Sequence, residues 1–346
     1  MKKSIISLAV AAGLVASMPA QAGDVKVKWF GFAQITAQQL SEKDTTTPPT
    51  DGLTFGADRV RFGFKIKDGN VFGKLQADLN KDGAGPSGTL TNTIKDMEAG
   101  YKFSNAASIK AGQFKTPVGM DFNTSGKKLD ITKRGMEKKL VMERAAGIML
   151  SGRKIANGIG YDLFYGNPAS RGSASAAGTP GDANSYAARI MYDMGKMMHV
   201  ELGYGVDETS GTTPADDDYS VIDLGFRMRM AAMTIKFEYI DGTSVKGVDG
   251  NDETVWYGHF AYNVNKTTEL LVRHYQADAD IGASSTSLTN TYLGANFFLG
   301  SNKTNGRIQL NYVIAGGDDA GSTTPFAGTA KGYVDDAFLA QYQVSF

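Results

Sequence analysis

The chain has 346 residues, with 42 glycines, 15 tyrosines, 18 phenylalanines and no cysteine, and its 36 basic and 36 acidic residues cancel. Without cysteine there are no disulfide staples, no thiolate metal site and no cysteine nucleophile. The balanced charge argues against nucleic acid as a partner and against general attraction of either ion sign.

The first 22 residues, "MKKSIISLAVAAGLVASMPAQA", start with Lys2 and Lys3, continue with an apolar stretch from Ile5 to Val15, and place small residues at Ala20 and Ala22. This is the layout of a secretory signal peptide cleaved after Ala22, and its apolar run is shorter than the ~20 residues a membrane helix needs. Residues 23–346 then form the mature chain, read as one domain. No uncharged apolar run in it is long enough for a helical span, but a β-strand crosses the same hydrocarbon with only about 9–11 residues.

Strand-type alternation runs through the mature chain. In "DRVRFGFKIK", Val60, Phe62, Phe64 and Ile66 share one parity, and Arg59, Arg61, Lys65 and Lys67 the other. In "YSVIDLGFRM", Ile222, Leu224, Phe226 and Met228 oppose Asp223, Gly225 and Arg227. The stretches 233–239, 254–264 and 307–313 repeat the pattern. The last strand sets Phe338, Ala340, Tyr342, Val344 and Phe346 against Leu339, Gln341, Gln343 and Ser345. A period of two with aromatic and β-branched residues is the signature of a strand.

Short connections, such as "KDGN" at 67–70, "FSNAA" at 103–107 and "VNKT" at 264–267, alternate with long Gly/Ser/Thr/Asp-rich ones, among them 241–252 and 277–287. About sixteen strands fit between them. A strict alternation of loop lengths gathers all short turns at one end of the sheet. This predicts an all-β, antiparallel up-and-down transmembrane barrel with short periplasmic turns and long external loops. Backbone groups cannot stay unpaired in lipid, so the last strand must close on the first. The apolar parity then faces lipid and the polar parity a wet lumen, with Trp29, Trp256 and Phe346 placed for an aromatic membrane girdle. A soluble β-sandwich or propeller would show the same alternation; the loop pattern, terminal strand and signal peptide favour the barrel.

One connection departs from the Gly/Ser type. Residues 115–144, between the fifth and sixth strands, carry eight basic residues (Lys115, Lys127, Lys128, Lys133, Arg134, Lys138, Lys139, Arg144) against four acids. As the third external loop of a barrel wide enough for an aqueous channel, it is expected to fold inward and narrow the pore. Its cations would then focus a positive field on passing solutes. Arg59, Arg61, Lys65 and Lys67, with Lys74, Lys26 and Lys28 beside them, form a basic ladder on the lumen face. An external, solvated lid and a ladder paired to Asp58, Asp78 or Glu98 is the alternative.

Three histidines, His199, His259 and His274, and no G-x-S-x-G elbow make a surface hydrolase the less favoured reading. Phe30, Phe32 and Tyr257 on lumenal parity keep a sugar-guiding porin open. The acids near 80–83 and 215–219 lack a calcium ligand ladder, with Thr91 where a bidentate Glu belongs, so no metal or cofactor is expected.

"DRVRFGFKIKDGNVFGKLQADLN", "DMEAGYKF", "IKAGQFKTPVGMDFN" and "MERAAG" resemble the phosphate-selective porin family of the O and P type, best over residues 55–150. "GQFKTPVG", Gly112 to Gly119, is the most specific stretch. The resemblance implies a sixteen-stranded barrel, a homotrimer, diffusion of anions and a loop after "GQFKTP" that enters the pore, with Arg59, Arg61 and Lys115 at matching positions. The expected function is a passive outer-membrane channel for small hydrophilic solutes with a preference for anions, phosphate among them. Its expected surroundings are outer-membrane lipid and lipopolysaccharide.

Overall fold

The computed structural model describes residues 25–41, 52–80, 93–156, 158–168, 183–208, 217–322 and 332–346. The expected signal peptide, residues 81–83 and residues 215–216 lie outside the described residues. Among the described residues no group of three or more His, Asp or Glu side chains is placed to share a metal ion.

Sixteen strands form one closed antiparallel sheet. The first half comprises β1 (Lys26–Ser41), β2 (Thr54–Asp68), β3 (Val71–Asp78), β4 (Ile94–Lys102), β5 (Ser108–Lys115), β6 (Arg144–Ile155), β7 (Ile159–Gly166) and β8 (Ser185–Met194). The second half comprises β9 (Met198–Asp207), β10 (Tyr219–Met230), β11 (Met233–Thr243), β12 (Asn251–Asn263), β13 (Thr268–Ile281), β14 (Ser284–Phe298), β15 (Gly306–Gly316) and β16 (Asp336–Ser345). Each strand pairs with its neighbours in sequence, and β16 closes on β1 from Phe32↔Ser345 to Ser41↔Asp336. The ladder therefore has no free edge, as a sheet in hydrocarbon requires.

The pattern of exposure is inverted relative to a soluble protein. On β16, Phe338, Tyr342 and Val344 are each more than 40 % exposed on the outer face, while Leu339, Gln341 and Gln343 are buried inside. The same division holds on β10, where Ile222 and Leu224 point outward and Asp223 is buried. At the short-turn end, Trp29 stacks on Phe62 with ring centroids 5.3 Å apart, and Phe62 lies 6.4 Å from the terminal Phe346 ring. Trp256 also faces out, against Phe237.

Two expected loops turn out to be largely sheet. Residues 277–287 are a tall hairpin: β13 runs to Ile281 and β14 begins at Ser284, paired residue for residue. Residues 241–252 shrink to a connection at 244–250 with a short 3-10 turn at Val245–Gly247. Polar composition marks where a strand leaves lipid; it does not stop backbone pairing above the membrane, where side chains of both faces meet water.

Candidate functional site

The segment between β5 and β6 lies within the barrel, and its path follows from its hydrogen bonds. Leaving β5, it crosses to β10 and β11, where a one-turn helix, α1 (Met120–Asn123), begins. The Gly119 N–H donates to Asp223 at 3.0 Å, and the Asp121 N–H to Glu238 at 3.1 Å. Gly119 has φ 88°, and a Cβ there would stand 2.5 Å from Val141, so no other residue fits this corner without strain. The segment reaches β1 and β16 at Gly126 and Lys127, turns back along β15 and β14 to β13 at Asp130, meets β15 and β16 again at Thr132 and β1 at Lys133, and arrives at β12 and β10 at Lys139 and Leu140.

Buried amides hold this course. Gln309 and Asn296 donate to the Asp130 carbonyl at 2.9 and 3.0 Å, Gln341 to that of Thr132, Gln343 to that of Lys127 and Gln34 to that of Gly126. A loop inside a protein must find partners for its own backbone groups, and an amide supplies donor and acceptor without a charge. These amides went unnoticed in the sequence, although uncharged polar residues recur at lumenal positions on β14, β15, β16 and β1. That recurrence is the signal that could have found them.

Behind the loop, four charges meet, three of them buried and Asp130 partly so. Lys236 of β11 and Arg273 of β13 each pair with both Asp121 and Asp130 of the loop. Burial works against ionisation of Asp121, but Lys236 and then Arg273 more than offset it and hold its carboxyl well below the ordinary range. Glu137 is the counter-case. Burial and the nearby Asp121 charge push its carboxyl up to about 7, against the weaker pull of Arg273. Four tyrosines, Tyr257, Tyr275, Tyr292 and Tyr333, continue this row at centroid separations of 5.1, 5.8 and 6.4 Å, the first pair tilted and the other two edge to face. Gly135 rests on the Tyr275 ring so closely that a Cβ would collide with it.

Open space lies along the other wall, from β1 round to β8. Two cavities, of about 410 and about 760 Å³, lie on the long-loop and short-turn sides of the loop. Arg61 and Arg144 line both, so the two cavities meet there. Arg61 pairs with Asp78 at 2.9 Å, and Arg144 shares Asp96 with Lys74. Arg59, Lys115 and Arg134 stand close by with no carboxylate partner among the described residues. Arg59 donates to Gln34; Arg134 and Lys115 both donate to the Phe122 and Thr124 carbonyls and lie over the Phe122 ring. Burial lowers the Arg134 guanidinium only to about 10, so it stays charged.

The residues singled out in the sequence are distributed as follows. Arg59, Arg61, Lys133, Arg134 and Lys138 line the cavity on the long-loop side, and Arg61, Lys65, Lys74, Lys115, Lys127 and Lys128 the cavity on the short-turn side. Lys133 pairs with Asp58 at 3.3 Å and Lys138 with Glu143 at 2.6 Å. Lys127 and Lys128 have no carboxylate partner among the described residues. Lys139 turns away to Glu253 of β12, and Lys67, beside the β2–β3 turn, lines neither cavity. Arg144, which begins β6, is the junction cation that the loop reading counted without distinction.

The sequence profile described as "Phosphate-selective porin O and P" matches residues 27–299. The chain belongs to this porin family. It is an outer-membrane channel protein of the Gram-negative type, as the resemblance of residues 55–150 implied. Among solved structures, the porin is similar to the anion-selective porin from Comamonas acidovorans (15 % identity, TM-score 0.69), over 93 % of this chain and 100 % of that one. It is also similar to OmpT of Vibrio cholerae in its trimer form (16 % identity, TM-score 0.65, 94 % and 100 % covered). Salmonella typhi OmpF aligns at 12 % identity and TM-score 0.65, over 93 % and 98 % of the two chains. At these identities the likeness is one of fold. No curated protein matches the porin by sequence.

Proposed function

We propose that this porin is a passive, non-catalytic channel with one anion-preferring passage per barrel, narrowed by the loop at 115–144. The carrying observation is the meeting of the two cavities at Arg61 and Arg144, with Arg59, Lys74, Lys115 and Arg134 around them. Six cations there face chiefly Asp58, Asp78 and Asp96, and low-dielectric walls focus the surplus field on a passing ion. Lys127 and Lys128 extend that field on the short-turn side. A neighbour of the same fold is described as anion-selective, and the family as phosphate-selective, which supports the same sign of charge for the solute.

The reversal potential of the purified protein in a planar bilayer under a KCl gradient tests this reading. Anions are expected to carry most of the current. A cation-preferring reversal potential would reject it.

A homotrimer in outer-membrane lipid and lipopolysaccharide is part of the proposal. The strands β3, β4 and β5 have only 8, 9 and 8 residues. At the usual rise and tilt, such strands span about 20 Å of a lipid-facing band about 25 Å tall. Their outer faces align Gly73, Ala99 and Ala111 in one row, a flat surface suited to another protein. One of the similar structures is described as a trimer. Chemical cross-linking of a cysteine placed at Ala99 into species larger than a monomer would support this, and an exclusively monomeric protein in mild detergent would refute it.

The two rival readings have less support. Of the rings that a sugar-guiding wall would use, Tyr257 is fully buried behind the loop and Phe32 lies beneath Arg61. Of the lumenal histidines, His199 sits between Asp193 and Glu201, and His259 accepts from Arg273, so neither is set against a nucleophile.

A further inference from the structure

Two of the loop's four acids lie on the side away from the two cavities. Asp121 and Asp130 are turned to the far wall, where each meets both Lys236 and Arg273. Arg273 has no exposed surface, and all three of its guanidinium nitrogens donate. Nε donates to His259 at 3.3 Å, Nη1 to Asp121 at 2.6 Å and to the Tyr275 hydroxyl at 2.8 Å, and Nη2 to Asp130 at 3.3 Å. The Tyr257 ring lies 4.3 Å from its guanidinium carbon. Neither Arg273 nor Lys236 lines either cavity. On its other side, the loop offers Lys127, Lys128 and Lys133 to the passage.

We propose that Arg273 and Lys236 set the charge selectivity of the passage from behind the loop: by holding Asp121 and Asp130 against the far wall, they keep two acids out of the ion path and leave the loop's cations facing it. The inference rests on reading the passage as the anion route. Both are positioning residues, since no solute in either cavity touches them.

The physical reason is the cost of an unpaired buried charge. If Arg273 loses its guanidinium, the buried Asp121 and the partly buried Asp130 are left with one cation between them, and breaking such a network is strongly unfavourable. The relief open to the loop is to turn an acid toward water, and the nearest water is in the passage. A carboxylate arriving there opposes the cations at the junction and disfavours anions several-fold, a consequence of Coulomb interaction at close range. Arginine is the suited residue on β13, because a planar fork reaches His259, Tyr275 and two carboxylates at once, as a lysine ammonium cannot.

The test compares reversal potentials, under one KCl gradient, of the full-length porin and of Arg273→Met, Lys236→Met, Asp121→Asn and the double variant Arg273→Met/Asp121→Asn. Arg273→Met is expected to lower the anion-to-cation permeability ratio by about threefold or more. Adding Asp121→Asn should return the ratio close to that of the unaltered porin, because the displaced charge is gone. A purely structural role predicts the opposite, further damage from the second substitution. An unchanged ratio in Arg273→Met, or no recovery in the double variant, would overturn the inference. Lys236→Met carries the same test if Arg273→Met does not assemble. An unaltered porin that prefers cations would reject the anion reading, whereas the shift between variants reports on the loop acids alone.

Discussion

Arg61 and Arg273 occupy equivalent positions by parity: each sits on a strand facing the lumen, Arg61 between the outward-facing Val60 and Phe62 and Arg273 between Val272 and His274. Their fates differ. Arg61, on the β1–β8 wall, borders both cavities, whereas Arg273, on the β10–β15 wall, is covered by the loop and has no exposed surface. The ion pair Arg61–Asp78 leaves the cation beside water, while Arg273 is spent on two loop acids. A lumenal charge is thus a solute contact on one side of the barrel and a fastening on the other. What separates them is the cover, and shifting the loop would erase the difference.

The largest expected effect comes from pH, through Glu137. Its carboxyl faces Asp121 of α1, Arg134 of the loop, Arg273 and Tyr275 of β13, Glu238 of β11 and Tyr292 of β14. With its pKa raised from 4.5 to about 7, the docked loop keeps a proton that a detached loop releases. The stabilisation is full below pH 4.5 and is lost as pH rises through 7, a change of up to about 3 kcal/mol. Asp121 acts in the other direction: it must be ionised, so docking also weakens as pH falls below its ordinary value. Loop docking should be firmest in mildly acidic solution. Open-channel current noise is expected to grow between pH 5 and pH 8, and Glu137→Gln should flatten that rise. Noise that is flat in the unaltered porin would contradict it.

Gly135→Leu should displace the loop from the Tyr275 ring, at a cost of about 1–3 kcal/mol for overpacking. The barrel strands do not depend on this contact. The expected outcome is higher conductance and faster proteolysis at the loop with an unchanged β-sheet signal in circular dichroism.

The junction comes next. Replacing Arg61 and Arg144 together by glutamine is expected to lower the anion-to-cation permeability ratio by about tenfold, since both cations border both cavities. A ratio within experimental error of the starting value would show that the junction does not govern selectivity. The smallest effect is assigned to Lys67→Glu. That residue lines neither cavity, so a shift of less than about twofold is expected from its distance and solvent screening.

Several features were legible without coordinates. The parity of β2, β10 and β16 was, because a strand with lipid on one side and water on the other has little freedom in where its apolar residues go. The closure of β16 on β1 followed from the same constraint. The hairpin at 277–287 was misread, since composition reports on the solvent around a strand and not on whether its backbone is paired. Within the site, Arg59, Arg61 and Lys65 on the basic ladder are conspicuous as like charges on one face of β2, and Lys74 on β3 shares their parity. Arg144 was hidden in a general count of loop cations. The amides Gln34, Gln309, Gln341 and Gln343 and the pair Lys236–Arg273 act through contacts more than 80 residues distant in the chain, and no local pattern marks such partners.

From the sequence alone came the architecture: an exported β-barrel of about sixteen strands, its apolar faces turned outward and one charged loop in an unusual place. Lipid outside and water within impose a periodicity that every strand repeats, so the information is local and redundant. Which wall stays open was settled only by the tertiary structure. The loop could have rested its cations or its acids against the sheet. Lys236 and Arg273, far away in the chain, hold Asp121 and Asp130 against the sheet, while Lys127, Lys128 and Lys133 line the cavities on the other side.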